Sequence, residues 1–158
     1  MDNIGVLFVC LGNICRSPMA EAVFRHLVRE EGLEDRFRID SAGTGDWHTG
    51  EPPHQGTQRI LDRYGVDRQG LLARQVTKGD LSRFDYIVAM DVQNEADLKR
   101  LAKETKANIV KLLDLVPDAR TKEVPDPYYT GNFEETYELV TEGSRALLDH
   151  IRREGKIG

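Results

Sequence analysis

The chain has 158 residues, 39% of them hydrophobic and 31% charged, which is enough to bury a sizeable core in one domain. Its net charge of -5 argues against nucleic acid or an anionic membrane surface as a partner. No apolar run approaches the roughly 18 residues of a membrane-spanning helix, and the opening MDNIGVLFVCLGN lacks the basic start of a signal peptide, so a cytoplasmic protein is expected.

Residues 4–10 (IGVLFVC) form a nearly continuous apolar run, the pattern of a strand buried on both faces of a parallel sheet. Ser17 and Pro18 then read as N-cap and first-turn residue of a helix. Its apolar face is Ala20, Val23, Phe24, Leu27 and Val28, and Gly32 ends it. Residues 37–41 (FRIDS) suggest a second strand, followed by the glycine-rich loop AGTGDWHTGEPP and a helix over about 54–64, stopped by Gly65. A third strand is expected over 85–90 (DYIVAM), a polar amphipathic helix over 92–104, and a fourth strand over 109–113. Residues 116–132 read as loop, with two prolines in EVPDPYY, and the last helix runs over 135–153. Strands alternating with helices imply right-handed crossovers and a parallel sheet. One α/β domain spanning 1–158 is expected: three layers, a four-stranded parallel sheet flanked by helices, and a phosphate-binding loop between the first strand and the first helix.

Both cysteines of the chain, Cys10 and Cys15, fall in that loop. On composition alone they serve either chemistry or packing as small buried hydrophobes. In parallel sheets ligands bind at the carboxyl ends of strands, near helix N-termini. Gly12 and Asn13 tolerate positive φ, so successive backbone amides can turn toward one centre as an anion nest. Arg16 adds a planar guanidinium suited to two oxygens of a phosphate. A thiol in such a field is expected to ionise well below its usual value near 8.5 and to act as a nucleophile.

The stretch CLGNICRSP resembles the active-site loop of the low-molecular-weight protein tyrosine phosphatases. DSAGT (40–44), ARQVT (73–77), FDYIVAMD (84–91) and PDPYY (125–129) resemble that family's other blocks in the same order, so the likeness covers essentially the whole chain. It implies that Cys10 is the nucleophile of a phosphocysteine intermediate, while Arg16 and the loop amides of Leu11, Gly12, Asn13, Ile14 and Cys15 bind phosphate oxygens. It further implies that Ser17 bonds the sulfur, that Asn13 holds a strained turn tied to Ser41, and that Asp91 supports Arg16, although helix capping explains Asp91 nearly as well. Where some members carry a histidine in the asparagine-supporting network, this chain has Leu71.

Phenolate is a poor leaving group, so a proton donor is required. Pro125 and Pro127 stiffen the backbone around Asp126, and the resemblance assigns Asp126 as general acid and base; a proline-rich turn with an incidental aspartate is the plainer alternative. Aromatic walls suit a phenyl ring. By resemblance Trp47 and Tyr128 form them, with Leu11 and Ile14 near the base and Tyr129 further out as a regulatory phosphorylation site. His48 flanks Trp47, whereas His26, His54 and His150 read as surface. The resemblance also implies that Cys15 protects Cys10 from overoxidation through a disulfide; a packing role is the alternative.

Three rivals share this pattern. Arsenate reductase needs two further downstream cysteines, which are missing here. Phosphoarginine phosphatases carry threonine in place of Ile14. A phosphocysteine carrier must keep its phosphoryl group, against which Asp126 works. The pair Cys10 and Cys15 supplies too few ligands for a metal, so no metal or cofactor is expected. The implied partners are tyrosine-phosphorylated proteins and a cognate tyrosine kinase, met by a monomer.

Overall fold

The computed structural model describes residues 3–102 and 108–155. Four strands, β1 (Ile4–Cys10), β2 (Phe37–Gly43), β3 (Tyr86–Ala89) and β4 (Asn108–Lys111), pair in parallel in the order β2-β1-β3-β4. The apolar run of β1 takes a central position and is buried along its whole length. Side chains alternate across it. Ile4, Val6, Phe8 and Cys10 face one layer built by α1 (Arg16–Glu30), α2 (Gln55–Arg63) and α6 (Phe133–Arg153). Leu7 and Val9 face the other, where Leu81 of α3 (Lys78–Arg83) and Leu98 of α4 (Val92–Leu101) cover the sheet. This is the three-layer α/β fold expected from the strand and helix alternation.

Several boundaries differ from the expectations. Ser17 is not the N-cap of α1: the helix begins at Arg16, Cys15 holds the cap position, and Cys15 makes no side-chain cap bond. Instead the Ser17 amide, an orphan donor of the first turn, is directed at Cys10 Sγ at 3.4 Å. β2 runs two residues beyond Ser41, because the Gly43 amide and carbonyl are taken up by Arg74 and Val76 of the ARQVT block. The six-residue α3 lacks an apolar period and is held by a capping box between Thr77 and Asp80. Residues 112–113, expected in the fourth strand, belong to a 3-10 turn, Leu112–Leu115. The proline-rich loop contains one helical turn, α5 (Pro127–Thr130), capped by Asp126. α4 is described to Leu101; its expected end at Glu104 lies outside the described residues.

With β1 leading to β2 on one side and β3 on the other, the crevice at the carboxyl edge opens beside Cys10. No described helix is long and apolar enough to cross a membrane.

Candidate active site

The loop from Leu11 to Cys15 is tethered from outside. Cys10 and Leu11 carbonyls accept from the amides of Thr44 (2.9 Å) and Gly45 (2.9 Å), and the Ile14 carbonyl accepts from the His54 amide at 2.7 Å. Thr57 Oγ1 donates to the Cys15 carbonyl at 3.2 Å. In a trans peptide unit the N–H points opposite to the C=O, so each tether turns an amide away from the flanking blocks. Gly43 allows this approach, since a Cβ there would lie 2.9 Å from the Leu11 carbonyl oxygen.

Asn13 is the loop residue that adopts a left-handed conformation, with φ 56°. Gly12 does not need positive φ; its value is space, because a Cβ would come within 3.1 Å of the His48 ring. Asn13 is buried and fully engaged: Nδ2 donates to Ser17 Oγ (2.7 Å) and Ser41 Oγ (3.0 Å), and Oδ1 accepts the Arg74 amide at 3.0 Å. Because Asn13 donates into Ser17 Oγ, the hydroxyl proton is left for Cys10 Sγ at 3.0 Å or the Ala42 carbonyl at 3.4 Å.

Arg16 is only 2% exposed. Its Nη1 donates to Asp91 Oδ2 at 2.6 Å and to the Val124 carbonyl at 3.0 Å, and Nη2 reaches Asp126 Oδ2 at 3.4 Å. Burial works against its charge, but the Cys10 sulfur and the carboxylates of Asp91 and Asp126 outweigh that cost and raise its pKa further. The buried Nε has no hydrogen-bond partner among the described residues. Such an orphan donor costs about 1–3 kcal/mol unless an acceptor meets it. Asp91 bonds Arg16 through Oδ2, while its Oδ1 accepts the Asn94 amide at 2.8 Å and caps α4.

Asp126 Oδ1 accepts the Tyr128 amide at 3.0 Å, which fixes the carboxyl at the start of α5 with Oδ2 toward Arg16. Cys10, Asp126, Ile14, Trp47 and Tyr128 line one cleft of about 210 Å³, together with His48 and Tyr129. Trp47 is 66% exposed and its indole rests on Gly45, where a Cβ would fall 1.8 Å from the ring. Among the described residues, no three His, Cys, Asp or Glu side chains converge as a metal site.

A family model described as low molecular weight phosphotyrosine protein phosphatase matches residues 5–157. The chain belongs to that family. It is 54% identical over 155 residues to the low molecular weight protein-tyrosine-phosphatase YfkJ of Bacillus subtilis, covering 98% of this chain and 99% of that protein. The crystal structure of YfkJ superposes with a TM-score of 0.95 over 98% of each chain. PtpA of Staphylococcus epidermidis, which carries the same descriptive name, is 43% identical over 154 residues, 98% of this chain and 97% of its own. A Drosophila arginine phosphatase is 34% identical, with a TM-score of 0.87 over 93% of this chain and 97% of that one.

Within this family framework the residues singled out in the sequence meet at one edge of the sheet. Cys10, Asn13, Ser17 and Ser41 form one hydrogen-bonded chain, and Arg16 joins Asp91 to Asp126. Tyr129, 76% exposed, packs edge-on against Tyr128 at 5.3 Å. Cys15 is buried with Ile14 and Ala73, and burial, then the charges at Cys10 and Asp126, push its thiol up to about 12. His54, expected at the surface, is half-buried: it caps α2 by accepting the Gly56 amide and stacks on Phe133 at 5.0 Å. Leu71 lies in the main core, so it takes no part in supporting Asn13.

Glu21 takes that supporting place and was not singled out in the sequence. It is buried in α1, accepts from Ser41 Oγ and from Arg25 Nη2, both at 2.7 Å, and burial raises its pKa despite these two partners. The readable signal is the polar stripe Ser17, Glu21, Arg25, which recurs every four residues and so shares one line along α1.

Proposed function

We propose that the protein hydrolyses phosphotyrosine monoesters in proteins through a phosphocysteine intermediate. The observation that carries this reading is a buried sulfur, faced by the Ser17 amide and hydroxyl, beside a guanidinium whose buried Nε has no partner among the described residues. In the first step the Cys10 thiolate attacks phosphorus, the ester P–O bond breaks, and Asp126 gives its proton to the leaving phenolic oxygen. In the second step the Asp126 carboxylate takes a proton from water, the hydroxide attacks phosphorus, and the thiolate leaves. Ser17 stabilises the departing sulfur, and Arg16 holds the non-bridging oxygens as charge builds. Aryl specificity follows from the Trp47 and Tyr128 walls above a recessed sulfur, which a phosphoserine is too short to reach.

The finer assignments belong to the same proposal. The whole of 1–158 acts as one monomeric phosphatase domain in the cytoplasm, on tyrosine-phosphorylated proteins supplied by a cognate tyrosine kinase. Its acidic surface and its two free thiols fit that setting. Cys15 protects the nucleophile: peroxide converts the Cys10 thiolate to sulfenic acid, the Cys15 thiol condenses with it to a disulfide with loss of water, and a cellular thiol reopens the bond.

The fold likeness to an arginine phosphatase makes phosphoarginine the rival substrate, and Ile14 at the base of the cleft favours an aryl ring. A panel of phosphotyrosine, phosphoserine and phosphoarginine peptides and arsenate decides it, with Cys10→Ser as control. Turnover of phosphotyrosine that vanishes in Cys10→Ser is expected. Faster turnover of phosphoarginine, or residual burst kinetics in the serine variant, would overturn the assignment.

A further inference from the structure

Trp47 borders two cavities. One is the cleft above Cys10; the other is a groove of about 310 Å³ that shares Trp47 and Leu11 with it and is completed by Val76, Leu98 and Leu101. Two of the polar side chains along this groove are already engaged. Gln75 Nε2 donates to the Thr44 carbonyl at 3.1 Å, and the Asp97 carboxylate accepts from Gln93 Nε2 at 2.9 Å and pairs with Arg100 of its own helix. The apolar surface open to a visitor is the Trp47 indole with Leu11 and Leu101, while Leu98 and Val76 lie buried behind it.

We propose that this groove is a specificity pocket for an apolar side chain adjacent to the phosphotyrosine of a peptide substrate. The proposal rests on the aryl-phosphate reading of the cleft. A phosphotyrosine seated over Cys10 leaves its backbone at the rim formed by Trp47, so the neighbouring side chain on that side falls over the groove. A leucine, isoleucine, methionine or phenylalanine there exchanges water for Leu101 and the indole. An aspartate at the same place gives up hydration and meets the Asp97 carboxylate of like charge. The pocket thus reads the sequence around the phosphotyrosine without touching the reacting atoms.

The test is a set of phosphotyrosine peptides in which leucine and then aspartate is walked through each flanking position. kcat/KM is measured for the wild type and for Leu101→Gln and Gln75→Phe, which respectively make the groove polar and fill it. p-Nitrophenyl phosphate, which reaches only the cleft, serves as control. At one flanking position the wild type should prefer leucine by about tenfold, the scale of partly burying one such side chain. Both variants should lose that preference while turning over p-nitrophenyl phosphate as the wild type does. A flat wild-type panel, or a preference that survives in both variants, overturns the pocket and leaves the reaction standing. If no phosphotyrosine peptide is turned over at all, the reaction itself fails, and the pocket with it.

Discussion

Asn13 holds the phosphate-binding loop in two ways, through its left-handed backbone and through its side-chain amide, and two substitutions separate them. Asn13→Gly keeps the conformation at little backbone cost but deletes the amide. The Arg74 amide then loses its acceptor, and Ser17 and Ser41 each lose a donor. With about 1–3 kcal/mol for the stranded backbone donor and roughly 0.5–1.5 kcal/mol for each freed hydroxyl, the variant should be destabilised by about 2–6 kcal/mol. Asn13→Ala loses the same bonds and must also place a Cβ at φ 56°, which adds about 1–2 kcal/mol. Against a typical total of about 5–15 kcal/mol, losses near the middle of these ranges leave both variants folded at 25 °C. Urea unfolding with an unchanged m-value measures the gap, and kcat on p-nitrophenyl phosphate should fall in both, since the Ser17 proton is no longer directed. If the alanine and glycine variants unfold at the same urea concentration, or if both keep wild-type kcat, the account of the loop is wrong.

Asp126→Ala should lower kcat by about 100-fold on phenyl phosphate and by much less on p-nitrophenyl phosphate, whose leaving group needs less protonation; an equal loss on both would make Asp126 a cap and nothing more. Glu21 carries a pKa raised above its ordinary 4.5 by burial, so the folded state holds its proton more tightly and stability falls as pH rises from about 4.5 through the folded value. Measured across that range, the stability of Glu21→Gln relative to wild type should therefore improve with pH, and an opposite slope would contradict the buried charge. Cys15, with its thiol pushed up to about 12, should resist iodoacetamide at neutral pH while Cys10, the nucleophile of the proposed reaction, is alkylated, as peptide mass mapping can read. After peroxide, dithiothreitol should restore the wild type but not Cys15→Ser, and equal recovery would reduce Cys15 to packing.

Much of the fold was legible because its central elements are extreme in pattern. An uninterrupted apolar run marks β1, and 3.6-residue spacing marks α1 and α6. The short pieces were not. α3 has six residues and no apolar period, and only the Thr77 to Asp80 capping box betrays it; α5 is a single turn hidden between Pro127 and Gly131. Ser17 misled for a chemical reason. Serine before proline reads as a cap, but here the first-turn amide finds a sulfur seven residues back, so the helix starts earlier and the hydroxyl is free to join Asn13 and Cys10. Cys10, Arg16 and Asp126 stood out through composition and proline context, whereas Glu21 was hidden because its partner Ser41 meets it only after β2 is laid beside β1, and its pair with Arg25 reads in the sequence as an ordinary i,i+4 surface pair.

The central claim is that phosphate passes through the Cys10 sulfur. Rapid quenching of Asp126→Ala during turnover of p-nitrophenyl phosphate, followed by peptide mass mapping, tests it most directly. The account predicts one added phosphoryl group on the peptide bearing Cys10, absent from a Cys10→Ser, Asp126→Ala double variant. Turnover with no phosphorylated cysteine peptide at any quench time, or a phosphoryl group on another residue, would contradict it.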